Sequence, residues 1–120
     1  MTMSFKSDSA GLYLGEFEML VLLAVLRLGD GAYGVTIREA IEIRTGRVAS
    51  SGAIYTTLGR LQERGLVSST VRDASPGRPG RPRKYYVLEA SGARALMHAY
   101  DTIQAMAAGL IPRLAELAEG

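Results

Sequence analysis

Four cations fall within seven residues at Arg78, Arg81, Arg83 and Lys84, separated only by proline and glycine. Guanidinium and ammonium groups pair with phosphate oxygens, and each neutralised phosphate releases counterions, so such a run attracts a polyanion without reading its sequence. A second set, Ser51, Gly52, Ala53, Tyr55, Thr56, Thr57, Arg60 and Arg64, combines small residues, hydroxyls and cations in one short stretch. Small side chains permit close approach, hydroxyls hydrogen-bond to phosphate, and arginine pairs with guanine edges. Catalytic chemistry has no comparable inventory. His98 is the single histidine, cysteine is absent, and the carboxylates are dispersed without the spacing of a metal-binding helix. The Gly-Arg-Pro repeats lack the strand, helix and lysine of a phosphate-binding loop. The expectation is a protein that is not an enzyme, with no cofactor and no metal.

The elements that would carry these residues follow from the pattern. GEFEMLVLLAVLRLG reads as a helix apolar nearly all round, with Glu16 and Glu18 in its first turn and Gly29 as a stop. DGAY makes a turn, and YGVTIREAIEIRTG forms a second helix with Ile37, Ala40 and Ile41 on one face. RVASSGAIYTTLGRLQERG opens on serines that can cap a helix and closes on Gly65. At about 100° per residue, Ile54, Leu58 and Leu61 share one side. Ala53, Thr56, Arg60, Glu63 and Arg64 share the other, with Tyr55 and Thr57 at the margins. LVSSTVRD and RKYYVLEA alternate as strands, joined by ASPGRPGRP, so the cations sit at the tip of a β-hairpin. The last segment reads as a helix capped by Ser91, with Leu96, Tyr100, Ile103, Ala107, Leu110, Leu114 and Leu117 spaced alternately by four and three. That seam suits either a partner helix or the chain's own first helix, and one helix can present a stripe to each. Gly109 and Pro112 interrupt the seam, and Pro112 removes a backbone donor, so a kink or break is expected near there.

The order helix, helix, helix, hairpin, helix gives a mainly α fold class with a small β-hairpin, a winged helix-turn-helix followed by a dimerisation helix. The domain organisation expected is a disordered 1–11, a DNA-binding unit over 12–90 and a dimerisation segment over 91–120. Charge agrees with that division. Between Arg38 and Lys84 ten basic residues face four acidic ones, whereas four basic residues face eight acidic ones elsewhere. The third helix fits a major groove, the wing flanks it on the backbone, and amides near Ser51 and Gly52 offer a phosphate site. A polar N-terminus without a secretory pattern, and an apolar run interrupted by Arg27 and Gly29, predict a cytoplasmic protein. The competing reading is a winged helix used for protein association without DNA, against which stand the basic wing and the small-and-basic third helix.

GAIYTTLGRLQERGLVSS, the hairpin ending GRPRKYYVLEASGARAL, and YGVTIREAI together closely resemble PadR-type transcriptional regulators over about residues 14 to 97, and the short final segment resembles the smaller subgroup. The resemblance implies a homodimeric winged helix-turn-helix repressor on a palindromic operator, with the C-terminal helix joining the protomers. It places DNA-facing positions on Tyr33, Ser51, Gly52, Tyr55, Thr56 and Arg60, with wing contacts from Arg81 and Arg83. Some family members hold planar drugs between aromatic side chains, tryptophan included, at the dimer centre. This chain has no tryptophan, and Met97, Tyr100 and Met106 are the candidates for lining an effector cavity.

Overall fold

The computed structural model describes residues 13–73 and 80–120, so the expected disordered N-terminus and Arg78 lie outside the described residues. Helix α1 spans Glu16–Leu28, a 3-10 turn Gly29–Gly31, α2 Gly34–Thr45, α3 Ser51–Glu63, strands β1 Val67–Arg72 and β2 Arg83–Leu88, and helices α4 Ala90–Ala107 and α5 Ile111–Glu119. The boundaries have local causes. The Gly15 amide donates to the Glu18 carboxylate at 2.8 Å, and the Tyr33 amide to the Thr36 hydroxyl at 3.0 Å, so α1 and α2 each begin with an orphan donor satisfied. α2 ends on Gly46 at φ 78°, a left-handed stop that glycine adopts without steric cost. At α3 the Ser50 hydroxyl accepts from the Ala53 amide at 3.0 Å.

α1, α2 and α3 enclose one core of Val21, Leu22, Val25, Ile37, Ile41, Ile54, Leu58 and Leu61, closed at one end by Leu66, Val67 and Tyr86. β1 and β2 pair antiparallel from Val67 opposite Leu88 to Arg72 opposite Arg83. The free edge of β2 is taken by the turn before α2: Tyr33 bridges Tyr85, and the Tyr86 amide donates to the Ala32 carbonyl at 2.8 Å. This turn therefore fixes the hairpin to the helical unit.

The start of α4 differs from the sequence expectation. Glu89, not Ser91, occupies the cap, and the Ser91 hydroxyl instead donates to the Gly65 carbonyl at 2.6 Å. Beside it, a Cβ on Gly92 would collide with the Leu66 carbonyl, so glycine is what lets α4 lie against the end of α3. The C-terminal segment breaks in the stretch that Gly109 and Pro112 mark, between α4 and α5. The chain turns at Gly109, φ 80°, and Pro112 sits in the first turn of α5, where its missing amide leaves no bond unmade.

Leu96, expected in the seam, is only 9% exposed and packs with Ala95 into the protomer's own core. Beyond it Met97, Tyr100, Ile103 and Met106 of α4 stay in solvent, Ala99 and Ala107 are half-buried, and no residue of α5 is buried. The radius of gyration is 17.2 Å, against roughly 14 Å for a compact chain of this length. Among the described residues no helix is long and apolar enough to cross a membrane.

Candidate nucleic-acid interface

With Ile54, Leu58 and Leu61 fully buried, α3 is fixed in rotation about its axis, and the opposite face is determined. Gly52, Ala53, Thr56, Gly59 and Arg60 are exposed there, Ser51 is exposed at the start of the helix, and Tyr55 is 51% exposed beside them. The first turn offers amides with no partner in the helix, next to the two smallest side chains. No ion pair among the described residues holds Arg60. That face is thus small at its N-terminal end and cationic two turns further on.

Two members of the sequence set do not join it. Thr57 is 7% exposed because it falls on the core side, adjacent to Ile54 and Leu61. Arg64 turns toward α1, donating to the Tyr13 carbonyl at 2.7 Å and lying 3.6 Å from the Glu18 carboxylate. It fastens the end of α3 to the start of α1, and its guanidinium is committed there.

The tyrosines form the edge between helix and wing. Tyr55 lies across the first residue of α2, where a Cβ on Gly34 would collide with its ring and hydroxyl. The space that ring occupies exists because position 34 is glycine. Tyr33, half-buried, meets Tyr85 edge-on at 5.2 Å between centroids. Tyr86 is the buried member of the strand pair, and burial, with a smaller contribution from nearby Tyr55, raises its phenol above the ordinary range.

Arg81, Arg83 and Lys84 are all exposed at the loop end of the hairpin. Arg83 is partly engaged, its guanidinium 4.6 Å from the Tyr33 centroid. Sequence reasoning missed Arg72 and Asp30. Arg72 stacks 3.7 Å from the Tyr85 centroid and donates to the Asp30 carbonyl at 2.9 Å. Its only signal in the sequence is strand alternation, which says nothing about which ring lies opposite until the register is known.

Tyr13, Met19, His98, Tyr100 and Ile103 line an open groove of about 600 Å³ between the start of α1 and α4. Of the expected effector residues it gathers Tyr100; Met97 and Met106 do not line it. No cluster of three metal-ligating side chains occurs among the described residues.

Residues 22–98 match the transcriptional regulator PadR-like family. No curated protein matches the chain in sequence. Among solved structures it is similar to a PadR-like transcription factor from Bacteroides fragilis, with TM-score 0.64 and 24% identity over 86% of this chain and 91% of that one. It is similar also to a PadR family transcriptional regulator from Eggerthella lenta, with TM-score 0.62 and 23% identity over 94% and 89%. The Orc1 protein of Aeropyrum pernix, solved in complex with DNA, shares the fold at TM-score 0.59 and 25% identity over 76% of this chain and 26% of that one.

Proposed function

Because the chain belongs to the PadR-like family of transcriptional regulators, we propose that it acts in the cytoplasm as a homodimeric repressor that binds a palindromic operator through α3 and the wing. The observation that carries this reading is the division of α3: Ile54, Leu58 and Leu61 are buried, while Ser51, Gly52, Ala53, Tyr55, Thr56 and Arg60 face solvent together. In a major groove the first turn approaches the backbone. Ser51 and Tyr55 bond to phosphates, Thr56 and Arg60 read base edges, and Arg81, Arg83 and Lys84 lie on the flanking backbone. The Orc1 structure is a case in which a chain sharing this fold is bound to DNA. Tyr100, Ile103, Leu110, Leu114 and Leu117, all exposed, supply the face that a second copy covers, together with Leu23 and Leu26 of α1. Ala107, half-buried, joins that face. A two-fold dimer sets the recognition helices roughly 34–36 Å apart, one turn of DNA.

Release by a small apolar effector belongs to the same proposal. The groove beside Tyr100 supports it, with Met97 and Met106 available once two arms meet.

Footprinting on the DNA upstream of the protein's own gene, at several salt concentrations, tests the reading. A protected two-fold site that outcompetes random duplex is expected. Equal affinity for all sequences, or no protection at low salt, overturns it.

A further inference from the structure

Arg72 and Arg83 face each other across the last pair of the hairpin, just before the wing loop. Like charges in register repel, and neither arginine has a carboxylate partner among the described residues. Each guanidinium is instead turned onto a ring: Arg72 lies 3.7 Å from the Tyr85 centroid and Arg83 lies 4.6 Å from that of Tyr33. The two rings meet edge to face at 5.2 Å. The four side chains therefore make one row, Arg72, Tyr85, Tyr33, Arg83, running from β1 through the residue that caps α2 and back to β2. At the outer end Arg72 also donates to the Asp30 carbonyl at 2.9 Å, in the turn after α1. Both strands of the wing are thus fastened, through side chains, to the turn between the first two helices.

The geometry points to Arg72 as a positioning residue, one that raises affinity for DNA by holding the wing at a fixed angle to α2 and α3 while touching no DNA itself. The inference deepens the DNA-binding reading and rests on it for its consequence. A guanidinium stacked on a ring and bonded to a carbonyl is not extended toward a phosphate. What it does is order the wing before binding, so that Arg81 and Lys84 meet the backbone without first losing the freedom of a hinged hairpin. Removing Arg72 should weaken binding to every sequence and leave the number of neutralised phosphates unchanged. Removing Arg81 and Lys84 should change that number.

The test uses the full chain with Arg72→Ala, Tyr85→Leu, Tyr85→Phe and the double change Arg81→Ala with Lys84→Ala. In the free protein, hydrogen exchange at the Tyr86 amide, which bonds to the Ala32 carbonyl, reports whether the wing is fastened. Arg72→Ala and Tyr85→Leu should speed that exchange about tenfold or more, whereas Tyr85→Phe, which keeps a ring for the cation, should not. On a duplex of random sequence, Arg72→Ala should weaken binding about tenfold with the salt slope unaltered, while the Arg81, Lys84 double change should flatten the slope by up to about two phosphates' worth. Unchanged exchange in Arg72→Ala overturns the fastening role without reference to DNA. A slope that falls by one phosphate in Arg72→Ala shows that Arg72 contacts the backbone, and overturns the positioning role. Failure of the wild type to bind any duplex defeats the DNA-binding reading instead, and is distinguishable because the exchange result stands by itself.

Discussion

Gly34 and Tyr55 are separated by twenty-one positions and share one volume: the ring of one occupies the space where the other would carry a Cβ. Gly34→Ala should therefore destabilise the protein by about 1–3 kcal/mol, the usual range for overpacking a filled site. Adding Tyr55→Ala removes the obstacle, so the double variant should be no less stable than Tyr55→Ala alone in urea unfolding; additive losses would show that the two do not interlock. Tyr86 supports a second prediction at this scale. Its phenol is raised above the ordinary value by burial, with Tyr55 adding to the shift. At alkaline pH the unfolded chain gives up that proton, from about pH 10, while the folded chain retains it. The stability this group contributes is present below that pH and is lost as pH rises through the folded value. Urea unfolding compared at neutral and alkaline pH should show a smaller alkaline loss in Tyr86→Phe than in the wild type, and parallel losses would exclude the effect.

Each helix ends where a residue type dictates it: the Glu18 side chain closes the start of α1, Ser50 that of α3, and Gly46 stops α2 in a left-handed conformation. These ends place the solvent face of α3 in a defined position relative to the wing. On that face Arg60 is the cation best placed for a base edge, since Arg64 is drawn back to Tyr13 and Glu18. Arg60→Ala should lower affinity for the preferred site by roughly tenfold or more, the scale of an arginine–guanine pair, and spare binding to random DNA. Selection from randomised duplexes should then return a relaxed position in each half-site. An unchanged consensus would move the readout to Thr56, Ala53 or DNA shape.

At the scale of the molecule, the proposed dimer makes folding and association separable in the C-terminal arm. Ile103 is 64% exposed in the protomer whereas Leu96, two turns earlier, is 9% exposed. A carboxylate at position 103 stays hydrated in a free protomer and is stranded only against a partner, so Ile103→Asp should yield folded monomers. At position 96 the same group would be buried in the protomer itself, and Leu96→Asp should fail to fold. Light scattering joined to circular dichroism distinguishes the two. Association that survives Ile103→Asp would remove α4 from the interface.

The first three helices, the serine cap of α3 and the hairpin were legible in the sequence because each is fixed locally, by a 3.6-residue period, a capping side chain or a glycine, whereas the cap of α4 fell on Glu89 and not on Ser91. The core face of α3 was legible for the same reason, since Ile54, Leu58 and Leu61 recur at helical spacing. Periodicity assigns a residue only to a sector of its helix, however, and the neighbours packed against that sector decide what it meets. Thr57 at the margin became core, Leu96 joined the protomer's interior, and Arg64 was claimed by α1. The place of Gly34 under Tyr55 depends on how α2 packs against α3, and the row from Arg72 to Arg83 on strand register and on the docking of β2 against the turn before α2. Those pairings join residues far apart in the chain, and only the tertiary structure decided them.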